Sequence, residues 1–182
     1  MVILAKEEYL IALDFLPTGK ATDKRPEPTV QGIGETYFSL LEVVVKRDAQ
    51  VKPKDRIYIG SGKRDIVEYI KRRIRYDELT SLAKNILEEV VTEIVTKNES
   101  RFITFFNTAG PLSPRMHSLE LLPGLGKRHL FNILQERKKR PFESFEDIKK
   151  RVEMIPDPKK MVVKRILQEI QNKDERHRIF VV

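Results

Sequence analysis

The residues best suited to chemistry lie around two glycines. Leu119–Glu136 reads LELLPGLGKRHLFNILQE, which predicts a short helix, a glycine turn and an amphipathic helix from about residue 127 to 139. Gly124 and Gly126 lack a Cβ, so the backbone can adopt a positive φ and approach another molecule closely. The first amides of a helix have no partner inside it, and the helix dipole adds partial positive charge there. Such a turn can bind a phosphate, and Lys127 and Arg128 would add Coulombic attraction.

This segment resembles the helix-hairpin-helix motif, which binds nucleic-acid backbones without reading their sequence. The continuation RKKRPFESFEDIKKRV strengthens the likeness, because Pro-Phe-x-Ser-x-x-Asp-[Leu/Ile] commonly follows the hairpin in that superfamily. The resemblance implies that the amides of Gly124, Gly126 and His129 face phosphate oxygens. It also implies that a monovalent cation, K⁺ or Na⁺, could be held by the carbonyls of Glu120, Leu122 and Leu125. The alternative is a helix pair joined by a glycine turn that binds nothing.

An internal repeat extends the likeness. A shift of 33 residues places this segment over VEMIPDPKKMVVKRILQE, residues Val152–Glu169, with seven of 18 positions identical. The second copy has Asp157 and Lys159 where the glycines stand, so we expect it to keep its packing role and to lack the phosphate turn. Two packed hairpins would form a tandem helix-hairpin-helix domain. Chance similarity between two amphipathic helices is the alternative.

The positive charge is unevenly distributed. Of the formal net charge of +8, Met1–Pro114 carries +1 and Arg115–Val182 carries +7. A basic segment attracts polyanions, because each neutralised phosphate releases condensed counterions. A merely solvated surface is the alternative. The cationic side chains expected to add to binding after the hairpin are Arg137, Lys138, Lys139 and Arg140.

The first third of the chain is rich in β-branched and aromatic residues. Strands are predicted at Tyr9–Leu16, Tyr37–Lys46 and Arg56–Gly60, with turns at residues 32–34 and an exposed loop at Thr18–Thr29. A helical period follows over residues 65–75, because Ile66, Ile70 and Ile74 recur every fourth position. That expected helix carries a second basic cluster, which could extend the nucleic-acid track, with Tyr69 or Tyr76 offering a stacking face, or could be a solvated face. Its members are Lys71, Arg72, Arg73 and Arg75.

Later elements are marked by capping residues. Thr80 or Ser81 can cap a helix, and the segment Ala109–Pro114 predicts a domain boundary followed by a helix that starts at Ser113. Ser144 is expected to cap a helix over residues 145–153, and Asp157 with Pro158 to begin one that ends near residue 172. Residues 178–182 are expected to form a short strand that docks on the N-terminal sheet.

From YLIALDFLPTG through GETYFSLLEVV, RIYIGSGKRDIVEYIKRRIRYDELT and the hairpin to RKKRPFESFEDI, the chain resembles the archaeal family called domain of unknown function 655. Its members are described as predicted nucleic-acid- or RNA-binding proteins, and the family implies an OB-like barrel in the N-terminal part. The expected fold class is therefore α+β, with an N-terminal β-rich OB-like barrel, adjoining helices and a C-terminal all-α tandem helix-hairpin-helix domain. The expected boundaries are residues 1–62 for the OB-like module, 63–110 for a helical connector, 113–172 for the tandem hairpins and 173–182 for the tail.

Several chemistries are not expected. The chain has no cysteine, which excludes disulfides, cysteine–zinc sites and thiol nucleophiles. His117, His129 and His177 are too few and too far apart to suggest a metal site, and no carboxylates pair in an acid–base pattern. Gly60–Arg64 lacks the first glycine and the Ser or Thr of a P-loop. We expect a cytoplasmic protein that is not an enzyme and has no membrane partner.

The sequence therefore predicts a nucleic-acid-binding protein that contacts the phosphate backbone without sequence specificity. The hairpin favours duplex DNA, whereas the OB-like half and the family description favour RNA, so both stay open. One alternative is a protein–protein docking module that uses the tandem hairpins. Another is an accessory factor of a nuclease or glycosylase.

Overall fold

A computed structural model describes residues 6–182, which form seven strands and five helices. The strands are β1 (Tyr9–Leu16), β2 (Thr29–Gly34), β3 (Leu40–Val45), β4 (Arg56–Tyr58), β5 (Val67–Arg73), β6 (Pro111–Ser113) and β7 (Met116–His117). The helices are α1 (Ser81–Lys97), α2 (Glu99–Thr108), α3 (Lys127–Lys139), α4 (Phe145–Arg151) and α5 (Pro158–Gln171), with 3₁₀ turns at Tyr76–Glu78 and Ser118–Leu121. The fold class is α+β, as expected.

The described chain folds as two compact units. The first comprises residues 6–90 and 169–182, and the second comprises residues 91–168. The division falls inside α1 and again inside α5. The proline-containing segment that was expected to separate two domains lies within the second unit, where β6 and β7 pair as an antiparallel hairpin. The helix predicted to start at Ser113 is therefore wrong, because the turn at Pro114 and Arg115 connects two short strands instead.

The first unit is built on a curled, five-stranded antiparallel sheet with the order β4-β1-β2-β3-β5. Its core is formed by buried aliphatic side chains of these strands, among them Leu10, Val30, Val43 and Ile57. The register shifts once between β1 and β2 and twice between β3 and β5. Such irregularities increase the local twist of a strand, which accounts for the curl of the sheet into half a barrel.

The sequence predicts a turn at residues 32–34, whereas the structure places them at the end of strand β2. Gly32 and Gly34 occupy these positions because atoms of neighbouring segments of the same chain leave no room for a Cβ. A Cβ on Gly34 would lie 1.9 Å from the carboxyl carbon of the buried Glu7. The Glu7 carboxylate accepts the backbone amides of Thr36 at 3.0 Å, Tyr37 at 2.7 Å and Ser39 at 3.3 Å, and so holds the turn into β3.

The helix predicted over residues 65–75 is also wrong, because Val67–Arg73 forms the edge strand β5. The apolar spacing that favoured a helix does not discriminate between the two structures. Residues four apart share a face in a helix and also in a strand, since four is an even number. Pairing with β3, which no local pattern reveals, determines the outcome.

The helices that begin with a clear cap agree with the sequence. Thr80 Oγ1 accepts the amide of Ala83 at 3.1 Å at the start of α1, and Ser144 Oγ accepts the amide of Asp147 at 2.9 Å at the start of α4. The helix α3 has the predicted bounds, and α5 starts at Pro158 as predicted. In the second unit α2 to α5 bury one apolar face each, including Phe106, Ile133 and Ile148.

The C-terminal tail docks on the first unit without forming the expected strand. The buried Glu169 carboxylate accepts the amides of Ile179, Phe180 and Val181 at 3.0, 3.1 and 3.0 Å. The amide of Val182 donates to the carbonyl of Tyr37 at 3.3 Å. A side chain thus satisfies the backbone groups that a strand partner would otherwise have paired.

A buried carboxylate in β3 gathers three polar partners. The side chain of Glu42 is 1% exposed and contacts Lys20 Nζ at 2.5 Å, Arg72 Nε at 2.9 Å and Gln31 Nε2 at 2.9 Å. Burial raises the pKa of Glu42, but hydrogen bonds from Gln31 and Lys20 and the charges of Lys20 and Arg72 outweigh it, so the pKa lies below its ordinary value. The ionised form therefore stabilises the fold.

We predict that Glu42→Gln lowers the free energy of unfolding at about pH 7 by about 1–3 kcal/mol, the range for hydrogen bonds to a charged group. The pKa of Glu42 is lower in the folded chain than its unfolded value of about 4.3. Its contribution is therefore complete above that value and disappears as the pH falls through the folded-state pKa. Urea denaturation at about pH 7 and about pH 3 measures this. An equal difference between variant and wild type at both pH values would contradict the role of charge.

Candidate nucleic-acid interface

The glycine turn follows a 3₁₀ turn that is closed by its own side chains. His117 Nδ1 accepts the amide of Leu119 at 3.1 Å, and Glu120 Oε2 accepts the amide of His117 at 2.8 Å. Burial and the nearby charge of Arg137 lower the pKa of His117, against the opposing effect of Glu120. A neutral imidazole is what this geometry needs, because the protonated ring could not accept the Leu119 amide.

The turn itself has a left-handed residue at its centre. Gly124 has a φ of +89°, and the amide of Leu125 donates to the carbonyl of Leu122 at 3.1 Å. Leu122 and Leu125 are buried and anchor the two ends of the turn in the second unit. Gly126 then precedes α3, and its carbonyl accepts the amide of Leu130 at 3.0 Å. Between the buried Leu122 and Leu125, Gly124 is exposed to solvent.

The start of α3 has no cap made by a side-chain oxygen. In the part of the chain that the structure describes, the amides of Gly124, Lys127, Arg128 and His129 have no acceptor. The amide of Gly126 meets only His129 Nδ1, at 3.5 Å, and a Cβ on Gly126 would meet nothing within 4 Å. Several donors and the positive end of the helix dipole therefore face open space.

The first amides of α5, unlike those of α3, donate to a capping side chain. Asp157 Oδ1 accepts the amides of Lys159 at 3.0 Å and Lys160 at 3.3 Å, as predicted for a capping residue. The helices α3 and α5 begin at residues 127 and 158, so Asp157 occupies the position that Gly126 has before α3. The internal repeat, aligned by a shift of 33 residues, places Asp157 over Gly124. In the structure Asp157 corresponds instead to Gly126, so that alignment does not match the two helix starts. Met154, with a φ of +61°, is the left-handed residue of the second turn.

Two cationic side chains flank the open turn. Lys127 Nζ contacts Glu120 Oε1 at 2.7 Å and the carbonyl of Arg115 at 3.3 Å, while its side chain stays 73% exposed. This hydrogen bond from Lys127 and that from the amide of His117 hold the pKa of Glu120 below its ordinary value. Arg128 is exposed and makes no hydrogen bond or ion pair with the described residues. His129 is half-buried, with Nε2 3.2 Å from the carbonyl of Met154.

The predicted cations at the end of α3 divide into two groups. Arg137 points into the fold, where it donates to the carbonyls of Ala109 at 2.8 Å and Phe106 at 3.2 Å, and burial lowers its pKa. Lys138 is exposed, and Lys139 is exposed but lies 3.0 Å from Glu136. Arg137 is therefore a structural residue, whereas Lys138 is available at the surface and Lys139 is exposed but paired with Glu136.

The side chains of the second basic cluster all have partners within the first unit. Lys71 lies 3.1 Å from Asp23, and Arg72 lies 2.9 Å from Glu42 and 2.8 Å from Glu78. Arg73 donates to the carbonyl of Val182. The aromatic residues expected beside them are engaged as well, since Tyr69 donates to Glu27 at 2.8 Å and Tyr76 lies under Lys84. An anion would have to displace these contacts.

Of the three carbonyls expected to hold a monovalent cation, only one accepts a hydrogen bond within the described residues. That of Leu122 accepts the Leu125 amide, and those of Glu120 and Leu125 accept no hydrogen bond within residues 6–182. Cation binding there stays a prediction. Elsewhere in the described chain no group of three His, Asp or Glu side chains is placed to hold a metal ion. No described helix is long and apolar enough to cross a bilayer.

Most of the net positive charge lies in the unit that contains the open glycine turn. The second unit contains 16 Lys and Arg against nine Asp and Glu, a net charge of +7 out of +8 for the whole chain. One exposed residue of α3 was not singled out in the sequence, namely Phe131, which is 60% exposed. Its spacing of three and four residues from Arg128 and Lys127 is the signal that could have identified it.

The fold and this site define an α+β protein in which a curled antiparallel sheet accompanies a basic helical unit with an uncapped glycine turn. The chain belongs to the family of proteins of unknown function DUF655, whose model matches residues 6–182. It is 41% identical over 176 residues to an uncharacterized protein of Methanocaldococcus jannaschii, covering 96% of this chain and 80% of that protein. It is also similar to the crystal structure of an Archaeoglobus fulgidus protein of this family, with a TM-score of 0.87 and 47% identity over 97% of this chain and 100% of that one. The family resemblance inferred from the sequence is confirmed.

We predict that Gly124→Ala destabilises the protein by about 1–2 kcal/mol, because a Cβ is disfavoured at a left-handed residue. The nearest atom to that Cβ would be Pro156 Cγ at 3.7 Å, so the cost comes from the backbone conformation and not from a clash. Gly126→Ala is the matched control, and its stability should stay within about 0.5 kcal/mol of the wild type. Urea denaturation of the three proteins decides, and equal losses in both variants would contradict the left-handed turn.

Proposed function

We propose that this protein binds the phosphate backbone of RNA or DNA without sequence specificity, through the turn from Gly124 to His129. The observation that carries the proposal is the uncapped start of α3, where exposed amides without acceptors adjoin Lys127 and Arg128. Helix starts of this kind bind phosphate because donors and the helix dipole act on one point. The start of α5 offers no such site, because Asp157 accepts its first amides.

The chemistry of the turn accounts for the lack of sequence specificity. Backbone amides and cationic side chains recognise phosphate oxygens, which are the same for every base. Lys138 and Lys139, farther along α3, would add Coulombic attraction that depends on salt. In this proposal Arg137 and the cluster at Lys71 to Arg73 do not contact the ligand, since Arg137 donates to carbonyls of the fold and Lys71 and Arg72 pair with carboxylates.

The finer architecture that we propose follows from the same features. The turns before α3 and α5 would be the two copies of a tandem helix-hairpin-helix domain, the first able to bind and the second serving packing. The curled sheet would be an OB-like module, supported by its five antiparallel strands, the number in a partly open OB barrel. We propose a binding role and not a catalytic one, because the turn offers donors and positive charge but no acid–base pair.

Replacement of Gly126 tests the proposal directly. Gly126→Asp should place a carboxylate on the open amides, as Asp157 does before α5, and repel phosphate. We expect at least a tenfold loss of affinity for single- and double-stranded RNA and DNA alike, with α3 as stable as before or slightly more so. Gly126→Asn, which can cap without charge, is the control and should lose less. Fluorescence anisotropy over a salt series measures the affinities.

Three results would contradict this proposal. Loss of binding to one sequence only would indicate base recognition. Unchanged affinity in Gly126→Asp would place the phosphate site elsewhere. Failure of the wild type to bind any nucleic acid at low salt would favour the docking of a protein partner on this unit.

We further predict that Arg128→Ala reduces the slope of log affinity against log salt concentration by about 0.7–0.9, which is the share of the slope that one neutralised phosphate contributes. Arg128 is suited to this test because it makes no hydrogen bond or ion pair within the described residues, so its removal leaves the fold intact. Arg137→Ala is not an equivalent change, since it removes hydrogen bonds to two carbonyls. An unchanged slope would show that Arg128 does not meet the backbone.

A further inference from the structure

The outer face of α3 combines positive charge with one exposed aromatic ring. With 3.6 residues per turn, one side of the helix carries the residues that the structure leaves exposed. They are Lys127, Arg128, Phe131, Gln135, Lys138 and Lys139. The opposite side carries Ile133, which is fully buried, and Arg137, which donates to carbonyls of the fold. Among the described residues of the exposed face there is no carboxylate.

Phe131 lies at the centre of this face. It is 60% exposed, whereas Phe102, Phe106 and Phe145 of the second unit are buried and Phe105 is half-buried. It follows Lys127 by one helical turn, a distance of about 6 Å along the axis. A ligand strand bound at the start of α3 would therefore pass close to the ring.

We propose that Phe131 stacks on an unpaired base, and that the ligand held by the glycine turn is a strand with single-stranded nucleotides beside the bound phosphate. This inference rests on the proposed function and narrows its ligand. The charges of the face favour a polyanion, and the exposed ring favours a partner with an accessible planar surface. A nucleic acid offers both together where its bases are not enclosed in a duplex stack.

The test compares three oligonucleotide probes that differ in one feature. The first is a blunt duplex, the second carries a short single-stranded overhang, and the third carries an overhang of equal length without bases. Each is made as RNA and as DNA. For the wild type we expect the overhang with bases to bind about 5- to 150-fold more tightly than the abasic one, the usual effect of one stacked base. Both overhangs present the same phosphates.

Two variants test whether Phe131 is responsible for the tighter binding of the overhang with bases. Phe131→Ala should remove the advantage of the overhang with bases and leave the affinity for the blunt duplex and its salt slope unchanged. Leu82→Ala is the matched control, because Leu82 is 65% exposed on α1 and belongs to the other unit at that point of the chain. It should behave as the wild type in all assays, and urea denaturation confirms that both variants are folded.

Fluorescence gives an independent measurement. The chain contains no tryptophan, so Phe131→Trp introduces a single reporter at the proposed stacking position. Its emission should be quenched by the overhang with bases and not by the abasic overhang. Leu82→Trp should respond to neither probe.

The outcomes separate this inference from the proposed function. Absence of salt-dependent binding to every probe would overturn both. Salt-dependent binding that is equal for all three probes and insensitive to Phe131→Ala would overturn the stacking role alone. An equal loss for abasic and base-containing overhangs in Phe131→Ala would also overturn it. Tighter binding of anionic phospholipid vesicles, abolished in Phe131→Ala, would assign this face to a membrane surface.

Discussion

The structure depends on one constraint, which is that backbone amides outside regular elements need an acceptor. Three carboxylates satisfy it at separate places. Glu7 accepts three amides of the turn into β3, Glu169 accepts three amides of the C-terminal tail, and Asp157 accepts two amides at the start of α5. Glu7 and Glu169 are brought to these segments from elsewhere in the sequence, whereas Asp157 lies directly before the helix that it caps. The loop-rich parts of the fold are held in this way.

The start of α3 lacks such an acceptor, and it is the site at which we propose that phosphate binds. Gly126 offers no side chain, Gly124 adopts a conformation that other residues avoid, and the amides between them and the helix have no partner among the described residues. The cost of leaving them open is modest because they are exposed to water. An anion that replaces the water gains both the donors and the helix dipole. The contrast with Asp157 is therefore a difference in capping between two helices of one chain.

Charge pairing separates basic residues that merely balance the fold from those that can act on a ligand. In the first unit Lys71 and Arg72 are matched by Asp23, Glu42 and Glu78, and the sheet carries little net charge. In the second unit the excess is large, and Arg128 and Lys138 face solvent without partners in the described chain. A count of Lys and Arg located the basic unit correctly, but the availability of each cation depends on the carboxylates beside it.

The sequence by itself determined the features that are encoded within a few residues. The bounds of α3, the caps at Thr80, Ser144 and Asp157, the family and the α+β class could all be inferred, because capping residues and apolar periods act locally. The tertiary structure alone decided that residues 67–73 form a strand and that residues 29–34 lie inside the sheet. It also decided that Arg137 serves the fold and that Phe131 stays exposed. These outcomes rest on contacts between segments distant in sequence, and a spacing that suits both a helix and a strand cannot report which neighbour a residue will meet.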